Sequence, residues 1–133
     1  MLAVHKKLGV IAAVLTVACV STQAVRLGSG PILPPVNPDQ VAIYRTADQV
    51  PRKYDEVALL SSSGDAAMTD EEKMYASMRK KAGELGANAI ILENVSEPGT
   101  GSKVAHALLG TSANRKGKAL AIYVHPDSTG KMP

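Results

Sequence analysis

The side chains of this chain with chemistry to offer are one cysteine, three histidines and a run of serines. Ser61-Ser62-Ser63-Gly64-Asp65 supplies hydroxyls and a carboxylate. A serine nucleophile needs a base within hydrogen-bond reach, and neither His106 nor His125 stands at a spacing that provides one. The composition of the stretch is that of a turn, so no catalytic residue is assigned and a serine hydrolase stays the alternative. Pro98 to Lys103, PGTGSK, invites comparison with a phosphate loop. The lysine there must follow glycine directly and precede a hydroxyl residue, whereas Ser102 precedes Lys103 and Val104 follows it. Nucleotide binding is therefore not expected. His5, His106 and His125 are far apart, and no cysteine pair or paired-histidine spacing points to a transition-metal site. No cofactor and no metal are expected.

Cys19 lies in AVLTVACVSTQAV, residues 13 to 25. Lys6 and Lys7 precede an uncharged run from Leu8 to Val20. Thirteen residues make a helix of about 20 Å, too short for a hydrocarbon core of about 30 Å. A basic start, a short apolar stretch and small residues behind it describe a secretory signal over residues 1–18. Leu15-Thr16-Val17-Ala18-Cys19 resembles the lipobox of bacterial lipoproteins, in which the cysteine sulfur receives a diacylglycerol and the cysteine becomes the new N-terminus. Thr16 stands where leucine is commonest. Thr22-Gln23-Ala24 offers a competing cut by ordinary signal peptidase, releasing a soluble periplasmic protein. Either cut leaves no free thiol, which suits an oxidising compartment and excludes a cysteine nucleophile or an internal disulfide. Cys19 is the expected lipid attachment site. The resemblance to lipoproteins implies sorting to the periplasmic face of the outer membrane, because Val20 stands where an inner-membrane retention signal places Asp.

Lys6 and Lys7 belong to the leader, so the 15 basic residues fall to 13 against 12 acidic ones. A nearly neutral mature chain excludes nucleic-acid binding through phosphate neutralisation. Residues 26–38, RLGSGPILPPVNP, hold two Gly and four Pro. Proline fixes φ and removes a donor, so residues 19–38 read as a lipidated cysteine followed by an extended tether. The remaining stretch, 39–126, suffices for one domain, with 127–133 as a disordered tail. It lacks Phe and Trp, so its core buries little area per residue, which favours self-association.

The elements that must position these residues follow from periodicity. QVAIYR from Gln40, EVALLS from Glu56, NAIILENV from Asn88 and KALAIYV from Lys118 read as four strands. Thr69 to Glu72 makes a capping box, with the Thr69 hydroxyl expected to accept from the Glu72 amide. Tyr75, Met78, Ala82 and Leu85 then form a core stripe, and Gly86 ends the helix. The expected fold is α+β, a single small sheet of about four strands with one main helix packed on it. Arg79, Lys80 and Lys81 complement the helix dipole and double as a candidate basic docking patch. Asn114 to Gly117, NRKG, reads as a turn into the last strand. Between glycine-rich flanks, Val104, Leu108 and Leu109 form a candidate partner-binding loop.

MRKKAGELGANAIILENV, with GKALAIYV closing the domain, resembles the YbjQ-type fold and the related RcsF-like domain of outer-membrane lipoproteins that sense envelope stress. The resemblance covers about residues 40 to 125. It implies an α/β domain, an envelope location and homo-oligomerisation. The heavy-metal binding ascribed to YbjQ-type proteins and the disulfides of the RcsF-like domain do not carry over, since the residues for them are missing. The expected function is a non-enzymatic sensor, adaptor or envelope-maintenance domain, held to the membrane by its N-terminal lipid and contacting an envelope protein. The alternative is a soluble periplasmic oligomer binding a small ligand or metal between subunits.

Overall fold

A computed structural model describes residues 20–28, 30–66, 69–96 and 114–131, without the side chains of 94–96. The fold is α+β: one open sheet of five strands with a single main helix on it. The strands are β1 (Ser21–Arg26), β2 (Ala42–Tyr44), β3 (Tyr54–Asp65), β4 (Ala89–Ser96) and β5 (Asn114–Val124), in the order β1-β3-β5-β4-β2. Neighbours are antiparallel except β2, which runs parallel to β4. The helix α1 (Glu71–Glu84) carries the chain from β3 to β4, which flank β5, so the unit is a split βαβ crossover.

The fifth strand is β1, which lies in the stretch expected to be tether. Its inward positions are Thr22 and Ala24 instead of large apolar residues, so the alternation that marks a strand is faint. Ser61 to Asp65, expected as a turn, continues β3, and NRKG belongs to β5. The reason is the same in both. Ser62, Gly64 and Gly117 take inward positions and are buried, so the period of two persists without apolar side chains.

Gly64 leaves room for Thr69: a Cβ there would lie 2.6 Å from Thr69 Oγ1. Thr69 is accordingly turned into the interior and does not cap the helix. Asp70 does so, its carboxylate accepting from the Lys73 amide at 2.9 Å. Met74, Met78, Ala82 and Gly83 form the buried stripe, with Tyr75 and Leu85 packed at its margin. Met78 and Ala82 meet Ala58, Leu60, Ile90, Ala119 and Ala121 on the sheet. Alanine on both surfaces brings helix and sheet close, which offsets the missing aromatics with contact density.

Gly86 has φ of 83° and ends α1, as its position after the stripe implies. Asn88 follows, buried, donating Nδ2 to Val124 O at 2.8 Å and accepting from Val124 N at 2.7 Å. Its side chain thereby holds the last residue of β5 in place beside β4. On the other face Ile91, Ile122 and Val124 form a second cluster, covered by Tyr44, Val50 and Tyr54.

The proline-rich stretch is docked, in contrast to the extended spacer its composition suggests. Val36 N donates to Gly83 O at 2.8 Å, and a Cβ on Gly83 would stand 2.3 Å from Val36 O. A Cβ on Gly86 would stand 2.4 Å from Leu33 Cβ. Residues 30–37 therefore form a strap across the end of α1, and two glycines make room for it. Residues 126–131 fold as a turn around Asp127, tied down by Arg52, whose Nη1 donates to Lys131 O at 2.7 Å.

Candidate functional site

Fourteen helical residues span about 21 Å, whereas the twelve of β3 span about 40 Å. The sheet therefore outruns the helix. At the end beyond Gly86 the strap roofs the bare strands and leaves a cleft of about 230 Å³. Leu27, Pro31 and Leu33 line it from the strap side, with Val57 and Tyr123 on the sheet. The register of β3 against β5 shifts between Glu56 and Ala58, and the extra residue, Val57, packs toward the helix-side core.

Arg26, Asp55, Glu56 and His125 stand around this apolar lining. Asp55 and Tyr123 are register partners, and Tyr123 and His125 continue the face of Ala119 and Ala121 by strand alternation. His125 Nε2 lies 2.9 Å from Asp55 Oδ2, and its ring meets Tyr123 edge-on at 5.5 Å between centroids. The backbone is fixed too, since His125 N donates to Lys53 O at 3.0 Å. Both members of the pair are well exposed, so its worth lies in orienting the imidazole more than in stability.

The cleft has binding chemistry: a cation, carboxylates and a phenol around apolar walls. Among the described residues that line it there is no serine nucleophile of the kind considered above. Ser62 lies seven residues along β3 from Asp55, about 23 Å away, so His125 does not serve the serine run. Ser62 is instead bonded within the fold, accepting from Thr22 Oγ1 at 3.0 Å, while Ser77 Oγ approaches Thr22 Oγ1 at 2.6 Å. Among the described residues no three metal-ligating side chains converge.

A larger hollow of about 620 Å³ opens beside β2, where two of the four polar lining side chains, Arg79 and Asn88, are already engaged. Arg79 donates from Nε to Val41 O at 2.9 Å and from Nη2 to Asp39 O at 2.8 Å. Asn88 is held by Val124. The three residues of the basic patch are thus separated in role: Arg79 ties down the chain before β2, Lys81 pairs with Glu84 at 3.4 Å, and Lys80 is exposed. Cys19, His106 and the loop residues Val104, Leu108 and Leu109 lie outside the described residues. No helix among the described residues is long and apolar enough to cross a membrane.

Sequence reasoning passed over the cleft. Glu56 reads as the start of a strand, Asp55 lies just before it, and His125 stands next to the Pro126 that ends another. The alternation through Ala119, Ala121, Tyr123 and His125 was the signal available.

No family model and no curated protein matches the chain. Among solved structures, the chain is similar in fold to the Francisella virulence factor FvfA in its orthorhombic crystal form. The TM-score is 0.53 at 17% identity, over 77% of this chain and 96% of that one. At that identity the likeness speaks to the fold.

Proposed function

We propose that this chain is a lipid-anchored envelope protein, cut before Cys19, that works by binding, as a sensor or adaptor on the periplasmic face of the outer membrane. The observation that carries the reading is the position of β1. A cut after Ala24 would remove four of its six residues, with the Thr22 contacts to Ser62 and Ser77 and the packing of Ala24 on the core. A cut before Cys19 leaves β1 whole. An intact β1 favours the lipobox over the later cut.

The anchor would then be only two residues from Ser21, about 7 Å of chain, so the sheet would sit close to the bilayer with no long tether between them. The His125 cleft is the binding surface in this reading, since its charged and phenolic groups surround apolar walls beside the strap that β1 leads into. Metabolic labelling with a palmitate analogue tests the anchor. The wild-type chain should take up label and Cys19→Ser should not; an unlabelled wild type would refute the reading.

A further inference from the structure

We propose that β1 is a self-pairing edge, and that two copies of this chain join through it to form one continuous ten-stranded sheet. The two edges of the sheet are built differently. At β2 the strand has three residues, and Ala42 N donates to Asn88 O, so by alternation Ala42 and Tyr44 face β4 and Ile43 alone presents its backbone outward. The carbonyls just before it, Val41 and Asp39, are taken by Arg79. That edge is blunted.

At β1 the opposite holds. Leu27 N donates to Val57 O, which fixes the alternation along the whole strand: Ser21, Gln23 and Val25 bond to β3. The N–H and C=O of Thr22, Ala24 and Arg26 therefore point outward, and no described residue pairs with them. The strand has no proline, no bulge against β3 and no charge before Arg26, which are the usual devices against edge pairing.

The open face of the sheet identifies the occupant. A row of register partners crosses it: Ile91, Leu120, Leu59 and Val25. Their exposure rises toward β1, from 7% at Ile91 to 43% at Leu59 and 65% at Val25. An apolar row that is most exposed at an unprotected edge is continued by a copy of itself. A two-fold axis perpendicular to the sheet, passing midway between two opposed Val25 residues, does this and keeps both helices on one side. It sets Val25 against Val25 as a non-hydrogen-bonded pair and lets Ala24 and Arg26 exchange backbone hydrogen bonds across the seam. A seam this short buries area at the low end for specific association, so the dimer is expected to be of micromolar strength. The two Ser21 residues would lie about 27 Å apart, which allows both anchors into one bilayer with the strands along its surface.

Cysteine cross-linking of the full chain in its native envelope tests the pairing, with the wild type run alongside as the Cys19 baseline. Val25→Cys should give a disulfide-linked dimer on a non-reducing gel, because the paired Cβ atoms would be about 5 Å apart. Ile43→Cys, on the blunted edge, should stay monomeric. On the Val25→Cys background, Arg26→Pro should abolish the band by removing an outward donor, while Arg26→Ala should keep it. No band from Val25→Cys in a folded chain would overturn the proposal. So would equal bands from Val25→Cys and Ile43→Cys, a preference for Gln23→Cys, or an adduct of heterologous mass marking another protein on this edge. The N-terminal mass of the same sample distinguishes failure of the pairing from failure of the anchor, since a chain beginning at Val25 has lost most of β1.

Discussion

Thr22 joins three elements through one hydroxyl, meeting Ser62 of β3 and Ser77 of α1 from its place on β1. Thr22→Val keeps the shape and leaves the Ser62 hydroxyl buried without that donor, so unfolding free energy should fall by about 1–2 kcal/mol in a denaturant titration. Asn88 is the sharper case. Asn88→Ala strands the N–H and C=O of Val124 in the interior and should cost about 3 kcal/mol by the same measurement. At the surface, the Thr129 hydroxyl, with the backbone of Lys131, holds the Asp127 carboxyl below its ordinary range. A lowered folded value means that the contribution of this turn is present above the ordinary aspartate pKa and is lost as pH falls through the lowered one. The amide resonances of Thr129 and Lys131 should therefore titrate below the range of a free aspartate. An ordinary midpoint would show that the turn does not hold the carboxylate.

The strap is the element whose removal is most informative, because it both roofs the cleft and rests on two glycines. Gly86→Ala forces a side chain into a left-handed position against Leu33 and should destabilise the fold by roughly 3 kcal/mol. Gly83→Ala meets the Val36 carbonyl instead, so it should lift the strap while α1 persists. Amide exchange at Val36 should rise well above that of β5 in this variant; unchanged protection would mean that the contact can be re-formed elsewhere. The helix, its end at Gly86 and four of the five strands were legible in the sequence, because periodicity and turn chemistry act locally. The strap and β1 were not. Proline and glycine content reports what a segment cannot do by itself, and the docking of Val36 and Leu33 is set by α1, some fifty residues further along the chain. The cap at Asp70 was misassigned to Thr69 for a similar reason: the vacancy above Gly64 draws Thr69 inward, and that vacancy exists only once β3 extends through the serines.

On the scale of the whole molecule, the structure ties the N-terminal segment to the domain more closely than the sequence suggested. Ser21 enters the sheet almost at once, β1 leads into the strap, and the strap forms one wall of the His125 cleft. In a chain anchored at Cys19, as proposed, the attachment point and the proposed binding cleft would be joined by one short run of backbone. Because β1 spans the rival cleavage position, fold and processing constrain each other. The most direct measurement is the mass of the N-terminal peptide of the mature protein. The account predicts a peptide that begins at Cys19 and carries diacylglycerol on its sulfur; a peptide that begins at an unmodified Val25 would contradict it.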